Sequence, residues 1–461
     1  MMSGALTTEL SAIATRHGAV GFGVAGVAPF EKERSTLFSH RRSGFSGPLR
    51  FTYDDPDLAT DVTKSFPWAR HLVVVAWGYL GSTTAPAHSG PQVARFAIAD
   101  QYEGVRRITS EVATRLRRDG HQAEVLADDN RLVDRAAAVR AGVGWPGKST
   151  MTLVPGHGPW VLLGSVVTDA PLAITEPMSR GCGTCIACIP ACPTGALTEH
   201  GLDARRCLST WLQTPGSIPQ WIRPLLGRRI YGCDDCLTAC PPGQPALSRA
   251  GGDPDSLDFG ELLAMSDEAL LERFHWWYMP RRDGRYLRRN LLVAAGNSGE
   301  AAAREPIERH LSHPSSMIRS HAAWALGRSL GSGSAATLRA ALESEAAPET
   351  RDEISLALLM VERPDTHRVV LAADEWGRDN AVLGVALVVD PSDHRVTFVL
   401  IGNVSRHPVW AEEPHRVENH ASVHDLSERD PRLADMIRVY DSDRGLERLC
   451  GAARRLTRLQ A

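Results

Sequence analysis

Leu6, Leu10 and Ile13 recur at helical spacing and predict an amphipathic helix over 6–17. GFGVAGVAPF (21–30) reads as a short strand. HLVVVAWGY (71–79) is an uninterrupted apolar run, the pattern of a central strand covered on both faces. VRRITSEVATRLRRDG (105–120) predicts a helix that stops at Gly120, and HQAEVLAD (121–128) a strand after it. DRAAAVRAG (134–142) reads as a short helix closed by Gly142, and VLLGSVVTD (161–169) as another strand. Strands alternating with helices over 1–170 imply an α/β or α+β domain, which we bound at 1–177.

The pattern changes further on. RRNLLVAAGN (288–297), RSHAAWALGR (319–328) and RDEISLALLM (351–360) each open on Arg and carry a small, Ala/Leu-rich helix, at spacings of 31 and 32 residues. Such recurrence predicts stacked helical pairs of the HEAT type over 251–365, with GRSLGSGSAA (327–336) as a loop between helices. NAVLGVALVVD and HRVTFVLIGNV, separated by PSDH, read as a hairpin, and ERDPRLADMIRVYDSDRGLERLCGAARRLTRL as closing helices. Together they make 366–461 an α+β extension. Cys450, alone in that extension, is expected to be a buried core thiol.

Composition adds boundaries. A chain of 461 residues with 43% hydrophobic content is long enough for two or three domains, each with its own core. A net charge of −3 excludes a polyanion binder by overall charge, so any nucleic-acid surface must be a local patch. The first residues lack a basic region followed by an apolar run, and no run of eighteen apolar residues exists. No signal peptide or membrane span is predicted, and a cytoplasmic monomer is expected.

The chemistry concentrates between Cys182 and Cys240, which hold eight of the nine cysteines. Cys182, Cys185, Cys188 and Cys192, followed by Pro193, have the C-x2-C-x2-C-x3-C-P spacing of bacterial ferredoxins. Cys233, Cys236 and Cys240, followed by Pro241, repeat its ending, with Cys207 displaced 26 residues upstream of Cys233. Two-residue spacers wrap three thiolates around one face of a cubane, and the cysteine before the proline ligates the other cluster. The spacing therefore predicts two 4Fe–4S clusters in a ferredoxin-like domain at 178–250. Cys182, Cys185, Cys188 and Cys240 serve cluster one; Cys192, Cys207, Cys233 and Cys236 serve cluster two. Closed zinc sites fit the doubled ending poorly, and disulfides need an oxidising compartment.

Trp276, Trp277 and Tyr278 stand beside Arg281, Arg282, Arg285, Arg288 and Arg289. Nine Arg and four acidic residues lie within 275–330. Interleaved aromatic and guanidinium groups suit splayed RNA bases and phosphates; the competing reading is core aromatics beside a solvated basic helix. Lys148 in GWPGKST lacks the glycine spacing of a phosphate-binding loop.

Several stretches resemble the epoxyqueuosine reductase family of cobalamin and iron–sulfur enzymes. RAAAVRAGVGWPGKST (135–150) is similar to E-R-x-x-A-x-x-A-G-L-G-W-x-G-K-x-T, and GPWVLLGSVVTDAPL (158–172) to G-S-W-x-F-L-G-E-I-x-T-D-x-x-L. LDARRCLSTW (202–211) with RPLLGRRIYGCDDCLTACP (223–241) matches nearly throughout, and YLRRNLLVAAGN (286–297) resembles L-L-R-N-x-x-V-A-L-G-N. The resemblance covers roughly 1–360 and leaves the last hundred residues unexplained.

The resemblance implies cob(II)alamin on the N-terminal domain, reduced through the clusters by an external electron donor. It also implies epoxyqueuosine in the tRNA anticodon loop as the substrate. The corrinoid or substrate pocket falls on Arg95, Tyr102, Gly144, Trp145, Gly147, Lys148 and Thr150. The family's acid, in V-D-T/S-x-P-V-x-E-R, matches Asp128 in ADDNRLVDR, beside Asp129. Opening an epoxide leaves an alkoxide, so a positioned acid is useful there. On position alone, a strand-end aspartate reads as a turn or cap residue. Asn130-Arg131, Glu103, HWWYMP (275–280) and CPPG (240–243) depart from the family pattern. They keep open a related corrinoid reductase acting on a small epoxide or organohalide. A two-cluster electron carrier leaves the 170 residues ahead of the clusters without a role, and a HEAT scaffold has no use for clusters.

Overall fold

The computed structural model describes residues 2–80, 89–220, 222–250, 257–329, 331–362, 367–376, 381–389 and 396–402, the last three as backbone strands. By compactness the chain forms two units: Met1–Gly216 with Arg228–Ser298, and Ser217–Gly227 with Gly299–Ala461. Among the described residues no helix is long and apolar enough to cross a membrane.

The first unit opens with α1 (Met2–Arg16) and β1 (Ala19–Gly26), followed by β2 (His71–Gly78), α2 (Tyr102–Arg118), β3 (Ala123–Leu126), α3 (Asp134–Arg140) and β4 (Val161–Thr168). Strand order is β1-β2-β4-β3, and every neighbouring pair is antiparallel. Of the two classes left open by the alternation of elements, antiparallel pairing selects α+β. The central strand β2 needs apolar side chains on both faces because helices cover both. Val73 and Val75 pack with Leu10 and Ala14 of α1 and Ile108, Val112 and Leu116 of α2. Leu72, Val74 and Ala76 point to the opposite face, where they meet Ala137 and Ala138 of α3.

β1 is shorter than the expected 21–30. It ends at Gly26, and Phe30 starts a further helix, Glu31–Arg42, that periodicity did not reveal. That helix buries none of its residues, so it has no apolar stripe to detect; acidic residues in its first turn and His40, Arg41 and Arg42 in its last suit the helix dipole. Close packing of α3 on the sheet depends on Gly23: a Cβ there would lie 1.9 Å from the Ala141 carbonyl oxygen.

The repeat segments fall on α4 (Arg285–Ser298), α5 (Ser316–Ser329) and α7 (Pro348–Glu362), with α6 (Ala335–Ser344) between the last two. The expected 327–336 loop is shorter: α5 runs through Ser329 and α6 begins at Ala335, with a 3-10 turn at Gly331–Ser334 between them. Within the second unit, α5 packs tightly on α7, where a Cβ on Gly327 would lie 2.8 Å from Ala357 Cα. Two ion pairs fasten the unit. Arg223, almost wholly buried, donates to both Glu353 carboxylate oxygens at 2.8 and 3.0 Å, and Arg319 pairs with Glu345 at 2.6 and 2.7 Å. The expected hairpin strands are β6 (Ala381–Val389) and β7 (Val396–Gly402), paired antiparallel. β5 (His367–Trp376), which was not anticipated, pairs with the other edge of β6. The PSDH turn, the closing helices and Cys450 lie outside the described residues.

Candidate active site and cluster-binding segment

β3 stops at Leu126, so Asp128 is not in a strand but in the loop leading to α3, with a left-handed backbone at φ 55°. Aspartate tolerates that region better than most residues. Of the turn or cap reading for Asp128 the turn half holds, since the residue lies in a bend, but it caps no helix. It is Asp129 that makes the local turn: its carboxylate accepts from the Arg131 amide at 2.9 Å and from the Arg131 guanidinium at 2.6 and 2.9 Å. That pairing holds the Asp129 carboxyl below its ordinary range. Asp128 accepts no hydrogen bond among the described residues; burial raises its carboxyl, Arg135 opposes the rise and Asp129 adds to it.

Asp134, in the first turn of α3, is an alternative carboxylate to which the sequence assigns no role, because an aspartate there reads as a dipole or cap residue. Its Oδ1 is closed off from solvent and has no hydrogen-bond partner. Burial, then the Asp128 charge, pushes its carboxyl up to about 8. Tyr102 opens α2 beside both carboxyls; burial, then Asp128 and Asp134, raises its phenol. Burial likewise raises Tyr231, on which the Asp128 charge also acts. Two carboxyls, two phenols and the Arg135 guanidinium therefore act on one another at one site, with Tyr231 buried, Asp134 and Tyr102 half-buried, and Asp128 and Arg135 exposed.

Arg135 also donates to the Thr150 carbonyl oxygen at 3.1 Å, which ties this site to the GWPGKST loop. That loop is a tight turn: the Gly147 amide donates to Met151 O, the Thr150 amide to Gly147 O, and Thr150 itself is left-handed at φ 65°. Gly144 lets the backbone come close, since a Cβ would lie 2.3 Å from Leu153 O. The Lys148 amide donates to Cys182 Sγ at 3.4 Å, and its ammonium donates to Gly183 O at 2.9 Å. Trp145 is buried against Leu153 and Cys240, and Arg180 lies over its ring at 4.1 Å. Arg95 is placed differently. Its amide and guanidinium both donate to Asp234 Oδ2, at 2.8 and 3.4 Å, and it lies over Trp160.

The eight described cysteines are free thiols. Short helical turns at Cys188–Ala191 and Asp235–Thr238 position the two C-x2-C endings. Their electrostatic neighbours sort them into two groups. Cys240, raised by burial to about 11, is acted on by Cys182, Cys188 and Cys185. Cys188 in turn faces Cys182 and Cys185. Cys236, raised by burial to about 12, is acted on most by Cys207 and Cys192 and less by Cys188; Cys233 faces Cys207. Among the described residues no three His, Cys, Asp or Glu side chains close on one ion. Cubane ligands sit around the edges of a cluster, not focused on a single atom.

The basic aromatic stretch does not form one RNA-facing surface. Arg289 is fully buried and donates to the carbonyls of Trp211, Thr214 and Gly216 and to Asn290 Oδ1. Arg288 is buried too, paired with Asp267 at 2.6 Å and with the Leu263 and Met265 carbonyls. Trp277 is stacked between Phe274 and Tyr231, at centroid distances of 4.0 and 4.5 Å, and its indole N–H, like that of Trp276, donates to Ala97 O. Core aromatics is the correct reading for Trp277, and Arg288 and Arg289 are structural cations. Tyr278, Arg281, Arg282 and Arg285 remain exposed.

Comparison with known proteins agrees with this geometry. The family model for a 4Fe–4S double cluster binding domain matches residues 181–243, and the HEAT-repeat model matches 281–358. The epoxyqueuosine reductase of Bacillus subtilis (strain 168) is 31% identical over 369 residues, spanning 76% of this chain and 94% of that protein. That of Xanthomonas campestris pv. campestris is 30% identical over 344 residues, spanning 70% and 96%. A crystal structure of epoxyqueuosine reductase with an epoxyqueuosine-modified tyrosine-tRNA stem loop superposes with a TM-score of 0.71. The two chains are 28% identical, and the match covers 78% of this chain and 99% of that one.

Proposed function

The chain belongs to the epoxyqueuosine reductase family, and from that premise we propose that it reduces the epoxide of epoxyqueuosine in tRNA, with Asp128 as proton donor. Converting an epoxide to an alkene consumes two electrons and two protons and releases the oxygen as water. Cys182, Cys185, Cys188 and Cys240 would hold one cluster and Cys192, Cys207, Cys233 and Cys236 the other, and the two clusters would supply the electrons of an external donor. Loss of the oxygen needs an acid at the opening C–O bond. The observation that carries the assignment is the contrast within one loop: Asp129 is fully occupied by Arg131, whereas Asp128 is exposed and its carboxylate accepts no hydrogen bond among the described residues. Asp134, whose carboxyl is pushed up to about 8 by burial and then by Asp128, supplies the second proton in this reading.

Cobalamin fits the residues present. The 144–150 loop lies between the acids and Cys182, and it carries a buried hydroxyl, Ser149 Oγ, with no partner. Neutral hydroxyl and amide donors suit the amide-bearing rim of a corrinoid. Gly144, Trp145, Gly147, Lys148, Ser149 and Thr150 would hold it, with Tyr102 facing it from the start of α2. Reduced cobalamin, when bound, supplies a low-valent cobalt centre to the epoxide. Arg95 acts at one remove, by fixing Asp234 next to Cys233. We place the protein in the cytoplasm, as a monomer.

Nucleoside analysis of tRNA after gene deletion tests the reading: epoxyqueuosine should accumulate and queuosine disappear, and unchanged queuosine would reject it. Anaerobically reconstituted protein should bind about eight irons. Cys192→Ser should damage the second cluster more than the first; loss confined to the first would reject the crossed ligands.

A further inference from the structure

Tyr278 is one of few large apolar side chains left in solvent among the described residues, 48% exposed. Its ring packs on Phe51, with centroids 5.3 Å apart and planes tilted by 57°. The pair is held in place from both sides. The Tyr278 amide donates to the Tyr231 hydroxyl at 3.0 Å, and Tyr231 is the phenol on which the Asp128 charge acts. Phe51 has a left-handed backbone at φ 37°, a costly conformation for an aromatic residue. Two residues on, Tyr53 is acted on by Arg135, the guanidinium of the acid site. The aromatic pair is therefore linked, through the Tyr231 hydroxyl, to a phenol that feels the charge of the carboxyl assigned as proton donor.

The charge beside it is also free. Arg281, left-handed at φ 55°, is exposed and makes no hydrogen bond or ion pair among the described residues. Its neighbours are committed: Arg282 donates to the Leu271 and His275 carbonyls, and Arg285 pairs with Asp283. One aromatic pair, exposed at Tyr278 and half-buried at Phe51, and one uncommitted guanidinium, next to a site that acts on a nucleoside, match an unstacked base and its phosphate.

We propose that Phe51 and Tyr278 form a stacking platform for an unpaired base of the RNA substrate, with Arg281 on the adjoining phosphate. This deepens the tRNA reading above and rests on it. The platform reads a base face, not a base edge, so it positions the loop without selecting its sequence. The phenol hydroxyl of Tyr278 has no part in it.

The test uses cluster- and cobalamin-loaded protein and an epoxyqueuosine anticodon stem loop carrying 2-aminopurine at each loop position in turn. Wild-type protein should quench one position other than the modified one on binding. Tyr278→Ala should abolish that quench and weaken binding by about ten- to a hundredfold, whereas Tyr278→Phe should bind within about twofold of wild type. Arg281→Gln should reduce the salt slope of binding by about one unit and leave the quench in place. Absence of a quench at every position, or wild-type affinity in Tyr278→Ala, overturns the platform even if wild type still turns the stem loop over. If wild type neither binds nor turns over the stem loop, the tRNA reading fails and the platform with it.

Discussion

Two stretches of the first unit, each a loop running into a helix, hold charged residues in left-handed backbone, and they use charge in opposite ways. In 127–135, Asp128 at φ 55° is exposed and accepts no hydrogen bond, and Asp134 has an oxygen closed off from solvent without a partner, both among the described residues. In 278–289, Arg281 and Arg282 have φ of 55° and 53°, yet most of the guanidinium groups that follow are saturated by carbonyls and carboxylates. A saturated charge holds a fold together and has little left for a substrate. A charge left short of partners can change its protonation state or accept a ligand. Abundance of charge is thus a poor guide to function; what matters is which charged atoms lack partners.

The sharpest break of this comparison lies within the acid loop. Asp128→Asn keeps size and removes the transferable proton, so turnover should fall by about two to four orders of magnitude. Clusters and stem-loop binding should stay intact. Asp129→Asn weakens the Arg131 pairing and should lower turnover far less. Single-turnover rates with prereduced enzyme measure both; a larger loss in Asp129→Asn would reverse the assignment.

The second break concerns Arg289 against Arg281. Arg289→Gln strands three backbone carbonyls and should destabilise the first unit by roughly 3 kcal/mol or more. The salt slope of RNA binding by the fraction that folds should not change, because a fully buried guanidinium reaches no phosphate. Denaturant unfolding and salt titration separate the two. A stable Arg289→Gln protein with a reduced slope would restore the RNA-facing reading of the helix.

These cases show where sequence patterns carry information. Cysteine spacing is local and bound to one ligand geometry, so Cys182–Cys240 was legible before any fold was known. The strands and helices around the sheet were legible for a similar reason: β2 and α2 carry periodicities that their packing demands. Burial of Arg288 and Arg289 was not legible. It depends on carbonyls of residues 211–216 and 263–265, distant in sequence and met only in the fold. The Glu31–Arg42 helix was missed because it buries nothing, and the Phe51–Tyr278 pair joins residues more than two hundred positions apart. Asp134 was missed because its type and position suit a helix start, and nothing in the sequence marks a carboxyl that lacks a partner.

Asp134 gives the subtlest test. Its carboxyl is raised from an ordinary value of 3.8 to about 8, mainly by burial and then by Asp128. If it supplies the second proton, turnover depends on its acid form and should fall as pH rises through about 8. Asp134→Asn should remove that alkaline limb and lower the rate at neutral pH modestly, provided solvent can still deliver a proton. Stability follows a linked course. The folded state holds a proton that the unfolded chain releases above about 3.8. The stabilisation from this shift is therefore complete below that pH and is lost as pH climbs through about 8. At pH 9 the wild type buries a charge that the asparagine variant lacks, so Asp134→Asn should be the more stable of the two there. The variant's advantage should shrink or reverse at pH 6. Thermal unfolding at the two pH values measures this without reference to turnover. An alkaline limb that survives in Asp134→Asn while the stability crossover appears would confine Asp134 to a structural role and leave Asp128 as the one acid of the site.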